Sequence, residues 1–572
     1  MASEIEELAS KYAIKNAADY GKAEFNSVLS KVIPKAKALK MSMPELKRIV
    51  EKAVKTANSL SKDELEDAYG QYETEFTREA RLKAEQTSKP RIELDRKIVG
   101  EVVTRFPPEP NGYLHIGHAK QLFLSKAIAE RYDGKIFLYF DDTNPKKEGW
   151  EYVDAIKEDT EWLGMKFDRE YYASDNVKKI YDYARKLIKE GNAYVCECSQ
   201  DEIKAKRFKG EECKHRSNGV FLNEDLFDGM LSGNYAENSA VVRMKLDMQA
   251  QNTTMRDPSI LRVITTPHYR QGDKYAVWPT YYINTPVIDS INGVTDAIRD
   301  KNYELSTELY KVILKMLGLR VPEVHLIGRL KIRGNITSKR ILNRMIAQKQ
   351  ISSYDDPRLL TIRALRRRGV LPKAIEKFAL RFGLSKTESN VDMSLLLDEN
   401  KKLIDPIAKH LFYVENPAKV EISNLTKKVA KLRVYPNRED YRDYEVNGVV
   451  YVSMSDVPSF KNGAIIALKD FAKVKIDSLD RGLVKASSTS SDGFDKVVQW
   501  VPQNHSKKCK VLIPSNLLNP DGSFNKDSLK ESNGFVEDYA AQLNNGDIVQ
   551  FERFGFCILD DKEKFEFIFI SK

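Results

Sequence analysis

His115 and His118 stand three residues apart with Gly117 between them, in LHIGHAK directly after RFPPEPNGY. Two imidazoles spaced this way at a helix start can point into one space. First-turn N–H groups and the positive end of the helix dipole already favour an anion there. The chemistry this supports is electrostatic: donors aimed at the α-phosphate and leaving pyrophosphate of a nucleotide lower the barrier as charge grows on those oxygens. Gly117 is expected to let a flat ligand approach the backbone. For an isolated pair, two histidines that merely cap a helix are the more ordinary reading, but the prolines and the apolar strand before this pair reverse the balance.

A second group could hold a metal. Cys196-x-Cys198, fourteen residues, then Cys213-x-His215 places four soft ligands within 20 residues. Three cysteines and one histidine match a closed, four-coordinate structural zinc site. Cys-x-Cys is less usual than Cys-x₂-Cys, so reduced thiols in a loop are the alternative on spacing alone. Cys509 and Cys557 read as isolated core cysteines.

The elements that must position these groups are legible. EVVTRF (Glu101–Phe106) reads as a strand, Leu114–Tyr132 as a helix and KIFLYF (Lys135–Phe140) as a buried strand. Together they predict a βαβ unit with a right-handed crossover. RFPPEPNG is then the strand-to-helix loop, at the end of a parallel sheet where ligands bind. Before this unit, residues 1–95 read as helical. Leu46, Ile49, Val50, Ala53, Val54 and Ala57 share a helical face. Ser42 with Glu45, and Ser61 with Glu64, are capping-box candidates. The stretch from about 73 to 96 is charged, an exposed helix or a linker. Residues 190–270 read as an insertion. Residues 340–400 read as helical, with a basic knot at Arg363, Arg366, Arg367 and Arg368. From about 406 short strands and turn signals predict an all-β tail as barrels or sandwiches. Asn447-Gly448, between YEV and VVYV, predicts a hairpin. Asp521-Gly522 and Gly546-Asp547 punctuate similar runs.

Residues 105–120 resemble the first signature of class I aminoacyl-tRNA synthetases, in the spelling of the glutamyl/glutaminyl subgroup. DDTNP (141–145), WPTY (278–281), YDDPR (354–358), LRRRG (365–369), LIDP (403–406) and QFERFG (550–555) are similar to that subgroup in the same order. The resemblance covers about residues 96–572. It implies an α/β multidomain protein with a Rossmann-like catalytic domain in two halves (96–195 and 271–325). An acceptor-end-binding insertion (196–270) would interrupt it. A KMSKS-like loop with a helical stem-contact domain (326–405) and β-barrel anticodon-binding domains (406–572) would follow. Residues 1–95 would be an N-terminal helical extension. YGKAEFNSVLSKVIPKA (20–36) resembles the extensions of archaeal glutamyl and eukaryotic glutaminyl enzymes, which suggests a tRNA- or protein-contact module.

The implied activity is that of a glutamate–tRNA ligase using ATP and Mg²⁺. By the resemblance His115, His118 and Lys339 stabilise the phosphoryl transition state. Pro107, Gly112, Gly117 and Ser338 would join them around ATP. Lys339 lies in NITSKR, where only the Ser-Lys core matches the second class signature; the family's first lysine is absent, and Arg340 is expected to replace part of its charge. Arg105, Glu109, Asp141, Tyr281 and Arg299 would surround the amino acid, with Asp141 on its α-ammonium. A buried γ-carboxylate needs a cation, ideally a bidentate arginine, whereas a γ-amide is poorly served by one. Arg299 falls where glutamyl enzymes carry that arginine, which favours glutamate. Asp296 and Tyr282 depart from the family pattern, where histidine and aspartate are usual. The resemblance adds weight to zinc at Cys196, Cys198, Cys213 and His215. It also puts Arg363, Arg366, Arg367 and Arg368 on the inner corner of tRNA. A glutaminyl enzyme and a non-catalytic tRNA- or protein-binding relative are the competing readings. The expected partners are tRNA-Glu, with tRNA-Gln as a second candidate, and a monomer is expected.

Bulk properties agree. A chain of 572 residues exceeds one hydrophobic core and suggests several domains. Its net charge of +10 is compatible with nucleic acid without demonstrating it. Five cysteines do not make a disulfide framework, which suits a reducing cytoplasm. No apolar run of membrane-spanning length is present, and no membrane partner is expected.

Overall fold

The computed structural model describes residues 2–39, 41–61, 64–72, 92–426, 428–480 and 482–572. The expectation for the charged stretch 73–96 lies outside the described residues as far as residue 91. The chain divides into two compact units, Met1–Pro90 and Arg91–Lys572.

The first unit contains the helices Ala2–Tyr20, Phe25–Ala38 and Met43–Ser59. Ile5, Ala9, Ala13 and Ala17 recur every fourth residue and are buried with Val28, Val32, Leu46, Val50, Ala53 and Ala57. Alanines at this spacing let helices pack closely. Ser61 and Glu64 form the expected capping box: Ser61 N donates to Glu64 Oε2 at 2.8 Å and Glu64 N to Ser61 Oγ at 3.4 Å. Ser42 occupies the N-cap of Met43–Ser59 but makes no side-chain cap. Pro44 lies in that first turn and has no N–H to satisfy.

In the second unit Val103–Phe106, Lys135–Phe140 and Arg169–Tyr172 pair in parallel, in that order. The helix Ile116–Arg131 makes the first crossover. Asp296–Asp300 and Glu323–Ile327 form a second parallel pair. It abuts the first where Thr295 N donates to Val103 O at 2.8 Å. Leu138, Phe140, Leu122, Phe123 and Ile156 fill one apolar layer; Tyr139, Ile283, Val287, Leu309 and Ile313 belong to another. Between the two parallel sheets, Ala193–Cys196, Val241–Met244, Ser259–Val263 and Val277–Pro279 form an antiparallel sheet that takes in the expected insertion, 196–270, and extends past it at both ends. After it come the helices Lys339–Ala347, Ile362–Arg367, Pro372–Leu380 and Ser394–Ile404.

The tail holds two seven-stranded sheets. One has Lys409–Leu411 and Tyr413–Glu415 at its two ends, strands separated in sequence only by Phe412. The other ends on Lys496–Val498 and Trp500–Pro502, separated only by Gln499. In each sheet the two edge strands are therefore joined by a single-residue bend, which closes the barrel and leaves little exposed edge. The Asn447-Gly448 turn exists, with Gly448 at φ +85°, but it does not make a hairpin. Tyr441–Glu445 pairs with Val429–Arg433, and Val449–Ser453 pairs with Pro417–Ser423. Ile422 N donates to Gly448 O at 2.7 Å, so the turn is captured by a neighbouring strand and the ribbon before it swings away.

Candidate active site

The Val103–Phe106 strand leads into a cavity of ≈ 990 Å³. All the nucleotide and amino-acid candidates line it: Arg105, Pro107, Glu109, Gly112, His115, Gly117, His118, Asp141, Tyr281, Arg299, Ser338 and Lys339.

His115 is the N-cap of Ile116–Arg131 in an extended conformation. Its Nδ1 accepts from Gly117 N at 3.0 Å, and His118 Nδ1 accepts from His115 N at 3.2 Å. A neutral imidazole that accepts at Nδ1 carries its proton on Nε2, so each ring has one donor left. Burial pushes His118 down to about 4. Burial and the neighbouring His118 hold His115 well below the ordinary histidine range. The two rings stack with centroids 3.8 Å apart. Gly117 also lines the cavity. A Cβ there would lie 2.8 Å from His115 Cε1, so its bare Cα makes room for the folded-back imidazole.

Lys339 opens the helix Lys339–Ala347, with Ser338 as N-cap. Its Nζ donates to Asn111 O and lies 4.4 Å from the Tyr152 ring centroid, which docks it on the PPEPNG loop. Arg340, the next residue, is exposed and does not line the cavity. Arg329, Lys331 and Arg333 also line it, with Lys331 paired to Glu388 at 3.2 Å and Arg333 3.9 Å from Asp392. The alternation RLKIR is the signal that could have found them, since residues two apart share a strand face.

At the other end of the cavity Arg105 is buried and grips Asp289 with both arms, at 2.9 and 3.2 Å, while its Nη1 donates to Ile298 O at 2.8 Å. Tyr310 Oη adds a bond to Asp289 at 3.0 Å. Arg105 is thus largely spent inside the protein. Arg299 is not. It is 3% exposed, donates to Tyr281 Oη at 2.8 Å and to Ser306 Oγ at 3.3 Å, and leaves Nε and Nη1 without partners. The rings of Tyr281, Tyr303 and Tyr310 surround its guanidinium at 5.1–5.3 Å. No carboxylate among the described residues pairs with it.

Opposite stands an acidic loop. Asp141 accepts from Asn284 Nδ2 at 2.5 Å; burial first, then Glu109, Asp142 and Asp289, push it up to about 7. Burial likewise raises Asp142 to about 7 and Glu148 to about 10. Asp142 accepts from Ser174 N and Oγ, each at 2.8 Å, and from Tyr269 Oη at 2.9 Å. The unusual Asp296 is balanced locally by Arg96 at 2.5 Å and His325 at 2.9 Å, which hold its carboxylate down at about 2.

Outside this cavity, Arg363, Arg366 and Arg367 line a second one of ≈ 900 Å³. Arg363 and Arg366 share Glu158 at 2.8 and 3.1 Å, and Arg367 pairs with Asp560 at 2.7 Å. Arg368 is buried, donates to Ile570 O at 3.3 Å and does not belong to that surface. Cys196, Cys198, Cys213 and His215 bring their ligand atoms within 4.8 Å of one another. The pairs Cys196 Sγ–Cys213 Sγ and Cys198 Sγ–His215 Nδ1 are 3.7 and 3.6 Å apart. A tetrahedral ion with bonds of about 2.0–2.3 Å spaces its ligands by roughly 3.5–3.8 Å, so the set fits zinc.

A parallel sheet whose first strand-to-helix turn presents two histidines to the cavity, beside the loop that carries Lys339 and ahead of two β-barrels, defines an α/β core with a C-terminal all-β tail. The family model of the catalytic domain of class I tRNA synthetases (E and Q) matches residues 101–406, and its anticodon-binding domain models match 408–489 and 497–560. The chain therefore belongs to the class I tRNA synthetases of the E and Q group. It is 37% identical to a glutamate–tRNA ligase of Nitrosopumilus maritimus over 99% of both chains. It is 38% identical to a glutamate–tRNA ligase of Pyrococcus furiosus over 98% of both. Among solved structures, a glutamate tRNA ligase of Elizabethkingia meningosepticum in complex with its amino acid aligns at 18% identity and TM-score 0.41, over 54% of this chain and 70% of that one.

Proposed function

We propose that the protein is a glutamate–tRNA ligase that activates glutamate with ATP and transfers it to the terminal ribose of tRNA-Glu. One observation carries the amino-acid choice: the buried guanidinium of Arg299 lines the cavity with two of its nitrogens, Nε and Nη1, unpaired. A buried cation without an anion is costly, and the γ-carboxylate of glutamate would supply one. The amide of glutamine would leave the charge unmet. Asp141, within the acidic loop, takes the α-ammonium, and Glu109 lies beside it.

ATP lies along Pro107, Gly112, Gly117 and Ser338. Attack by the α-carboxylate on the α-phosphate breaks its bond to the leaving pyrophosphate and gives glutamyl adenylate. The Nε2–H groups of His115 and His118 donate to oxygens on which charge accumulates, and Lys339 leaves Asn111 for the outer phosphates. Neutral imidazoles suit this role, since they donate without competing for a proton. Mg²⁺, bound with the nucleotide, neutralises phosphate charge. A ribose hydroxyl of tRNA then displaces AMP from the acyl carbon. Cys196, Cys198, Cys213 and His215 hold a structural zinc in the insertion, and Arg363, Arg366 and Arg367 face tRNA.

The test is aminoacylation with labelled glutamate and labelled glutamine, each on tRNA-Glu and tRNA-Gln. Glutamate on tRNA-Glu is the expected product, and transfer to tRNA-Gln as well would mark a non-discriminating enzyme. Glutamine on tRNA-Gln would overturn the role of Arg299, and no product with any pair would indicate a non-catalytic binding protein.

A further inference from the structure

Arg243 poses an electrostatic problem. It lies on the Val241–Met244 strand, is 1% exposed, and has no carboxylate within ion-pair distance among the described residues. The one acid nearby, Asp257, is already engaged: Arg216 Nε at 2.9 Å, Tyr194 Oη at 2.9 Å and Leu246 N at 2.7 Å fill its carboxylate. Arg243 reaches only the main chain of that residue, Nε donating to Asp257 O at 2.9 Å. Its Nη1 instead approaches two sulfurs, Cys196 Sγ at 3.8 Å and Cys213 Sγ at 3.7 Å, and its Nη2 has no partner. The Tyr194 ring lies 5.6 Å away.

Burying an uncompensated guanidinium is costly, so a counter-charge is required. Charge arithmetic supplies it. A divalent zinc with three cysteine thiolates and a neutral histidine carries one net negative charge, and the guanidinium carries one positive charge. We propose that Arg243 is the counter-ion of the zinc–thiolate cluster, its Nη1–H groups donating to the sulfurs of Cys196 and Cys213. This rests on the zinc reading above and deepens it. Groups that orient and hydrogen-bond metal ligands commonly govern how firmly the ion is held. Arg243 is then the residue that makes this zinc inert rather than labile, and it ties the knuckle to the sheet that ends at Val277–Pro279.

The experiment uses the full chain with its metal. Zinc content is measured first, then the rate at which a chromophoric chelator extracts it from the wild type, Arg243→Lys and Arg243→Gln. The S-to-metal charge-transfer band of the cobalt-substituted proteins is recorded alongside. The expected result is one zinc per wild-type chain and release at least tenfold faster in Arg243→Gln. The cobalt band should move to lower energy as N–H···S bonds are lost. Arg243→Lys, which keeps the charge but not the fork, should lie between. If Arg243→Gln does not fold, the lysine variant alone decides through its band and release rate. Wild-type release and an unmoved band in the variants, with zinc present, would overturn the role of Arg243 while leaving the zinc standing. Metal-free wild-type protein would overturn both.

Discussion

At the scale of single residues, the histidine pair shows how backbone geometry sets chemistry. Each imidazole spends Nδ1 on a main-chain N–H and keeps Nε2–H for the cavity. His118→Ala should cut adenylate formation by orders of magnitude with tRNA affinity nearly unchanged, read by ATP–pyrophosphate exchange in the presence of tRNA and by filter binding. Gly117→Ala should act through its neighbour: a Cβ 2.8 Å from His115 Cε1 forces that ring to turn. A fall in kcat of about a hundredfold to a thousandfold is expected, as for a lost oxyanion donor. The same burial makes a stability prediction. His118 titrates near 4 in the folded chain, against about 6.5 unfolded. Between those values the unfolded chain binds a proton that the folded chain does not, so stability is present above pH 6.5 and is lost as pH falls toward 4, by about 3 kcal/mol for the full shift. Urea unfolding of the wild type and His118→Asn at several pH values checks this; the variant should show a shallower slope in that window.

At the scale of elements, the lysine loop is supported from far along the chain. The segment 515–528 leaves the C-terminal barrel between Ser506–Pro514 and Leu529–Glu537. Leu518 N donates to Gly334 O at 2.9 Å. A Cβ on Gly334, at φ +68°, would lie 2.6 Å from Asn516 Cγ. Leu517 is fully buried against Leu342 and Met345 of the helix that Lys339 begins. Leu517→Ala should cost about 2–4 kcal/mol of local stability by the usual cavity argument. Because the lost packing lies under the nucleotide loop, KM for ATP should rise several-fold while KM for glutamate stays near the wild-type value. Steady-state kinetics with each substrate varied in turn will read the difference.

At the scale of the whole molecule, the proposed tRNA contact rests on charge. Arg363 and Arg366 share Glu158, and Arg363 Nε also lies 4.0 Å from Asp159, a carboxyl that burial raises to about 7. If both meet phosphates, Arg363→Gln with Arg366→Gln should lower the slope of log affinity against log salt by about two, without changing pyrophosphate exchange at saturating tRNA. Arg368→Gln should leave that slope unchanged and lower thermal stability instead, since its side chain is buried against Ile570 O.

Much of this protein was legible in sequence because its information is local. The strand, the HIGH turn and the following helix are consecutive, so spacing alone places His115 and His118 at a helix start. Cys196, Cys198, Cys213 and His215 lie within 20 residues of one another, and period-two alternation marks the barrel strands. What sequence could not supply is what depends on partners remote in the chain. Arg105 looks as available to substrate as Arg299 until Asp289, far along the chain, is found gripping it. Arg368 looks like part of a basic surface until the barrel buries it. The Asn447-Gly448 turn looks like a hairpin until Pro417–Ser423 captures the strand that follows it. Local spacing determined which groups could act together; tertiary burial decided which charges were already met, and left guanidinium nitrogens of Arg299 and Arg243 unpaired.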